Sequence, residues 1–284
     1  VTRYDNCALP HVYKVHPELC VNYSNAWYLD PGLPEVRKYL VDLYETLVKK
    51  YDFDGLSLDY TRYPGKDFND AASFAKYGNG MKIEDWRREN INTFVGELYD
   101  MIKLNKPNMK LGSAPIGTYK NYSDTHNMSA YSDVFQDACE WAKRGKQDLL
   151  IPQMYWNENY GYSRHMITWI ENANERQLVI GLAPYKMLDG NAWQPSVITD
   201  QIEKMRKKNP STCGVCFFRA DNILGNESKV KTLYSQLKDN YFQYPAHIPT
   251  MPYLGETKPN VPVNVAASVN TATKECTISW NTPD

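Results

Sequence analysis

Five short runs in this chain are apolar almost without a break, and each follows a stretch with helical spacing. They read FDGLSL, KLGSAPIG, DLLIPQMYW, LVIGLAPYK and GVCFF. A strand with one wet face alternates apolar and polar residues. A run apolar on both faces is covered on both sides, as a parallel strand between crossover helices is. The helix before the first run, LPEVRKYLVDLYETLVKKY, has Pro34 in its first turn and a stripe of Val36, Leu40, Leu43 and Leu47. Further helices are expected over 85–103, 131–144, 164–174, 196–208 and 229–239. The strands then end near Asp59, Pro115, Tyr155, Pro184 and Arg219, one helix apart. This spacing predicts an α/β fold, either a (β/α)8 TIM barrel or a doubly wound sheet. A closed barrel needs eight strands in typically about 250 residues, so a barrel here would show only strands 4 to 8, with three further strands upstream of Val1.

The character of the chain changes after residue 243. Residues 244–261 carry Pro245, Pro249, Pro252 and Pro259 and read as a stiff linker. Residues 262–284 alternate like antiparallel strands, with Val263, Val265, Thr277, Ser279 and Trp280, and read as the opening of a β-sandwich. The expected organisation is thus a barrel part over 1–243, the linker, and a truncated sandwich module.

Charge and motif content exclude several partners. Thirty-two basic against 33 acidic side chains give a formal charge of −1, with no global field to attract nucleic acid or an anionic membrane. No window approaches the roughly 18 to 20 apolar residues of a membrane span. The opening residue is Val1 and not Met, which leaves room for an upstream leader or lipid anchor. The six cysteines have no framework spacing, and Cys213-x-x-Cys216 lacks a second pair, so free buried thiols are expected. His11, His16, His126, His165 and His247 are scattered, which leaves no metal-ligand cluster. Gly-rich phosphate loops and a GxSxG elbow are absent too, so neither metal nor cofactor is expected.

Ligands of parallel βα folds meet the C-terminal strand ends. The residues delivered there are Asp59, Arg62 and Tyr63; then Gln153, Tyr155 and Trp156, with Glu158 beyond; then Tyr185 and Lys186; then Arg219 and Asp221. Carboxylates, an amide, cations and rings suit cleavage of a polyol. One carboxyl protonates the leaving oxygen, and a second carboxylate or a substrate acetamido group stabilises the cationic transition state. Asp59 is the leading acid or base, with Asp221 or Glu158 as partner, and the remaining residues are expected to line a sugar cleft. Asp59 could instead brace a loop by pairing with Arg62 or Arg219. Arg87 and Arg88, early in a helix, are expected to be solvated, with one able to reach the cleft. Without a second carboxylate, the same rings would make a non-catalytic carbohydrate-binding barrel or a cell-surface interaction protein.

The string YDFDGLSLDYTRYP, between LDPGLPEVRKYL and DWRRENIN, resembles the glycosyl-hydrolase-like 10 family of bacterial TIM-barrel proteins. KPNMKLGSAPIG, DLLIPQMYW, APYK, GVCFF and YPAHIPTMP follow in that family's order. The resemblance implies a glycosidase that is secreted, periplasmic or lipid-anchored, with bacterial cell-wall glycan strands as a substrate of some members. It places Asp59 at the family's acidic position and departs at Tyr60, where many members carry a second Asp. The C-terminal residues resemble the start of a fibronectin type III module through Pro262, Val265 and Trp280.

Overall fold

The computed structural model describes residues 10–190, 193–209, 213–247, 249, 251–255 and 260–282. The chain divides into two compact units, Val1–Pro249 and Thr250–Asp284. Cys7 and Pro259 lie outside the described residues, as do positions 248, 250 and 256–258 of the expected linker.

In the first unit a short helical turn, Val12–Val15, and a 3-10 turn, Pro17–Leu19, precede an antiparallel hairpin, β1 (Cys20–Tyr23) and β2 (Ala26–Leu29), that turns through Ser24 and Asn25. Both turn residues have positive φ, 48° and 61°, the backbone of the two-residue turn that matches strand twist. After the hairpin come α1 (Pro34–Lys50), β3 (Gly55–Leu58), α2 (Ala71–Tyr77), α3 (Ile83–Asn105) and β4 (Lys110–Ser113). Next are α4 (Ala138–Lys143), β5 (Leu149–Leu150), α5 (Tyr162–Asn172), β6 (Gln177–Leu182), α6 (Pro195–Lys208), β7 (Cys213–Phe217) and α7 (Ser228–Gln236).

Strands β3 to β7 form one parallel sheet in sequence order, curled into a half-barrel. Isolated bridges Ile116↔Gln153 and Gln153↔Gly181 prolong its middle beyond the named strands. The core lies between sheet and helices. α3 contributes Ile91, Val95, Leu98 and Ile102 at three- and four-residue spacing, and the sheet contributes Leu111, Leu150, Leu178, Ile180 and Leu182.

The expected helix over 131–144 is broken. A single turn, Ala130–Asp133, is separated from α4 by Val134 to Asp137. Phe135 takes φ +55°, which puts its ring edge-on to Tyr63 at 5.6 Å in the core. The Gln136 side chain then accepts from Ile116 N and donates to Thr61 O, and Asp137 caps α4. Burying one ring and tying two loops outweighs the hydrogen bonds that a continuous helix would gain.

The cysteine expectation also needs correcting. Cys20, Cys139, Cys216 and Cys276 are free, but only Cys139 is buried, where burial and then the Asp137 carboxylate push its thiol up to about 12.

Gly117 marks a close approach of two strand ends. A Cβ there would lie 2.4 Å from Gln153 O and 2.6 Å from the Trp156 ring. Gly117→Ala should therefore displace Gln153 and Trp156 and cost about 1–3 kcal/mol, as overpacking does. A urea denaturation midpoint unchanged from wild type would show that the segment yields freely.

The second unit is a hairpin of β8 (Val263–Asn270) and β9 (Glu275–Asn281), with Ala266 opposite Ser279 and an irregularity between Val263 and Ala266. Val265, Val269, Ile278 and Trp280 are exposed.

Candidate functional site

Asp59 follows the buried Leu58 at the C-terminal end of β3, and its side chain is exposed. Oδ1 accepts from Gln153 Nε2 at 2.9 Å and from Tyr60 N at 2.8 Å. Oδ2 has no partner among the described residues. Neither Arg62 nor Arg219 pairs with the carboxylate, so the loop-bracing alternative does not describe its contacts. Gln153 Nε2 also donates to Ala114 O at 3.0 Å. Both amide protons are thereby used and the Gln153 carbonyl is left as an acceptor. Tyr60 holds φ +54°, a sparsely populated region for a residue with a side chain, and turns the chain outward directly after Asp59.

Beside Asp59 stands a group of rings. Tyr155 stacks on Phe218 with centroids 5.7 Å apart, and Tyr185 meets the two edge-on at 6.2 and 6.1 Å. Burial, then the Cys216 thiol and the Asp59 carboxylate, raise the Tyr155 hydroxyl well above its ordinary value, so it remains a proton donor. Phe218 is 51% exposed and was not anticipated from sequence. As the last F of an apolar strand it reads as core; only its place beyond the end of β7 separates it from Phe217.

The other expected residues are distributed as follows. Tyr63 is fully buried, packed by Phe68 and Phe135 with its hydroxyl accepting from Asn90 at 3.2 Å, so it lines no cleft. Arg87 is not solvated. It grips Asp70 through Nε at 2.8 Å and Nη2 at 2.6 Å, and donates to Lys66 O and Phe68 O. Arg88 is buried as well, against Asp85 and the Tyr131 ring. Arg87 packs on the loop after β3 and Arg88 on the segment around Tyr131 after β4, and amphipathic spacing alone shows neither partner. Arg62 lies over the Tyr60 ring at 4.6 Å.

Glu158 sits on a short 3-10 turn, held by Lys204 and Ser163. Partial burial works against its charge, but those hydrogen bonds win and keep the carboxyl below its ordinary value. Asp221 pairs with Arg219 at 3.3 Å, both largely exposed. Neither expected partner carboxylate is bonded to the Asp59 and Gln153 pair; each is engaged with its own cation.

Trp156 and Lys186 line a groove of about 520 Å3 together with Tyr155, Tyr160, Trp193 and Asn157. Trp193 and Tyr160 were also missed; Trp193 lies in the loop before α6 and Tyr160 ends the 3-10 turn that carries Glu158, and the place of each depends on chain distant in sequence. Behind Trp156, His165 is 1% exposed and neither ring nitrogen has a partner among the described residues.

Burial, then the Arg164 charge, depress the His165 pKa below its ordinary 6.5. The unfolded chain therefore takes up this proton first. The stability contributed by the neutral ring is complete above about pH 6.5 and is lost as pH falls from there through the folded value. Thermal unfolding should fall more steeply between about pH 7.5 and 5.5 in the wild type than in His165→Phe. Parallel slopes would show that this ring does not set the acid limb.

Comparison with known proteins agrees with this architecture. The profile of the Glycosyl hydrolase-like 10 family matches residues 8–198. Glycosyl hydrolase YngK of Bacillus subtilis (strain 168) is 30% identical over 273 residues, 89% of this chain and 53% of that protein. Glycosyl hydrolase DigH of Escherichia coli (strain K12) is 28% identical over 247 residues, 79% of this chain and 56% of that protein. The chain thus spans about half the length of the curated relatives it matches. Among solved structures, the PgaB (BpsB) glycoside hydrolase domain from Bordetella bronchiseptica shares the fold, with TM-score 0.54 at 14% identity over 72% of this chain and 62% of that one. With two thirds of its residues inside the family profile and the parallel half-barrel that carries them, the chain belongs to the Glycosyl hydrolase-like 10 family.

Proposed function

We propose that the protein hydrolyses glycosidic bonds of a polysaccharide at the C-terminal face of the parallel sheet, with Asp59 as general acid or base. The observation that carries this reading is the state of Asp59. One oxygen is fixed by Gln153 and Tyr60 while the other has no partner among the described residues, on an exposed side chain beside the Tyr155, Tyr185 and Phe218 rings. A carboxyl held at one oxygen and open at the other can exchange a proton without losing its position. Tyr155, Tyr185 and Phe218 offer apolar faces of the kind that pack against pyranose rings. The free Gln153 carbonyl suits a sugar hydroxyl or an acetamido N–H. Arg62, Trp156, Lys186 and Arg219 would contribute further contacts.

Among the described residues, β3 and β7 each leave one edge of the sheet unpaired. Closure as a (β/α)8 barrel by three more βα units, numbered before β3, would satisfy both edges and could supply the second carboxylate. The second unit would then be the start of a fibronectin type III-like module, a reading its antiparallel hairpin supports. Among the described residues no helix is long and apolar enough to cross a membrane. Family resemblance favours an extracytoplasmic enzyme acting on bacterial cell-wall glycan strands.

A catalytically silent carbohydrate-binding barrel is the second reading. It is favoured by the engagement of Glu158 with Lys204 and of Asp221 with Arg219. Release of reducing ends from denuded peptidoglycan strands, chitin oligosaccharides and plant glycans by the full-length protein separates the two. Hydrolysis of one of these supports the enzyme; binding without any new reducing end supports the silent barrel.

A further inference from the structure

We propose that the groove between Trp156, Tyr160 and Trp193 is a subsite for a sugar that bears a carboxylate, with Lys186 as its counter-charge. The proposal rests on the glycan reading above and adds a ligand chemistry to it.

The charge of the groove is the first argument. Its described lining includes Lys186 and neither Asp nor Glu; the other polar side chains are Thr118, Asn127, Asn157, Asn159 and the tyrosine hydroxyls. The adjoining hollow is different, because there Asp124 and Arg164 neutralise each other at 2.8 Å.

The state of Lys186 is the second. It is half-buried, and its ammonium makes no ion pair or hydrogen bond among the described residues. Its contact is the Trp193 ring, whose centroid lies 5.5 Å away. Lys103 and Lys204, also partly buried, each hold a carboxylate. Among the described residues the ammonium has only a ring face to offset its charge. An incoming carboxylate would supply the missing counter-charge, and a compact point charge suits a single anionic group.

The floor is the third. Thr118 and Trp156 both line the groove, and Thr118 Oγ1 and Trp156 Nε1 are buried with no partner among the described residues, so polar groups beneath the groove are left unsatisfied. Tyr155 belongs to both this groove and the rings beside Asp59, so a glycan held here runs toward the proposed acid or base.

The carboxylate could be borne by the ring, as in a uronic acid, or by a lactyl ether. Binding is measured by calorimetry at low salt with the full chain carrying Asp59→Asn, so that nothing is turned over. Two matched pairs are used, a lactyl-ether oligosaccharide and an oligouronate, each against its carboxyl-reduced form. The expected result is about a tenfold tighter affinity for one acidic member over its reduced partner, reflecting one charge-assisted contact. Lys186→Met should erase that preference, and Lys186→Arg should keep most of it. The pair that shows the preference identifies the source. Equal binding within both pairs, or a preference that survives Lys186→Met, overturns the subsite and leaves the glycan reading standing. Failure of every oligosaccharide to bind overturns the subsite, and the glycan reading falls with it only if the reducing-end assay on all three glycan classes is negative too.

Discussion

Replacing Asp59 by Asn is expected to lower glycan hydrolysis by about a hundred- to ten-thousand-fold while leaving the fold and the affinity for glycan close to wild type. Asn matches Asp in shape, and its Oδ1 can still accept from Gln153 Nε2 and Tyr60 N, so the side chain keeps its position. What disappears is the oxygen that can take or give a proton. The loss should therefore fall on kcat, with KM nearly unchanged, because a group acting only in the transition state does not contribute to uniform binding. Steady-state kinetics on the oligosaccharide that the full-length protein cleaves would check this, with a thermal melt to confirm folding. A variant as active as wild type would remove Asp59 from the chemistry.

The second large effect is on stability. Arg87→Met should lower the free energy of unfolding by about 3–5 kcal/mol, because it strands a buried charge. The Arg87 and Asp70 side chains are 5% and 1% exposed, joined by two hydrogen bonds, and the guanidinium also holds the carbonyls of Lys66 and Phe68. Without Arg87, the Asp70 carboxylate and both carbonyls lose these donors. The Tyr63 and Phe135 rings, with centroids 5.6 and 4.9 Å from the guanidinium, exclude the water that could replace it. An exposed pair such as Lys38 with Asp42 would give only about 0.2–1 kcal/mol. Urea denaturation of Arg87→Met, Asp70→Asn and the double variant should show strong coupling, the double costing clearly less than the sum of the singles. A loss below about 1 kcal/mol for Arg87→Met would mean that the pair is solvated in solution.

Sequence reasoning succeeded where a local pattern carries the information. α1 falls where Pro34 and the leucine stripe put it, and β3, β4, β6 and β7 end within two residues of the expected strand ends. β5 shrinks to Leu149–Leu150 because Pro152 cannot donate to a ladder, although Gln153 rejoins the sheet through isolated bridges. The turn at Ser24 and Asn25 was missed, and its two-residue polar step before Ala-Trp-Tyr-Leu is the signal that could have revealed it. Arg87 was misplaced for a different reason. A cation early in a helix is ordinarily solvated, and the loop that swallows it is visible only after folding.

Alternation of helical and fully apolar segments determined by itself that the sheet is parallel and that Asp59 stands at a strand's C-terminal end; that the strands run in chain order, and not in the permuted order of a doubly wound sheet, was decided by the tertiary structure. Periodicity is a property of neighbours in the chain, so it can be read there. Tertiary structure alone decided which strand-end residues share a site: Gln153 reaches Asp59 across 94 positions, Phe218 joins Tyr155 and Tyr185, and Tyr63 turns into the core. Whether a side chain meets water or a neighbour depends on what packs over it, and that neighbour is supplied by chain far away in sequence.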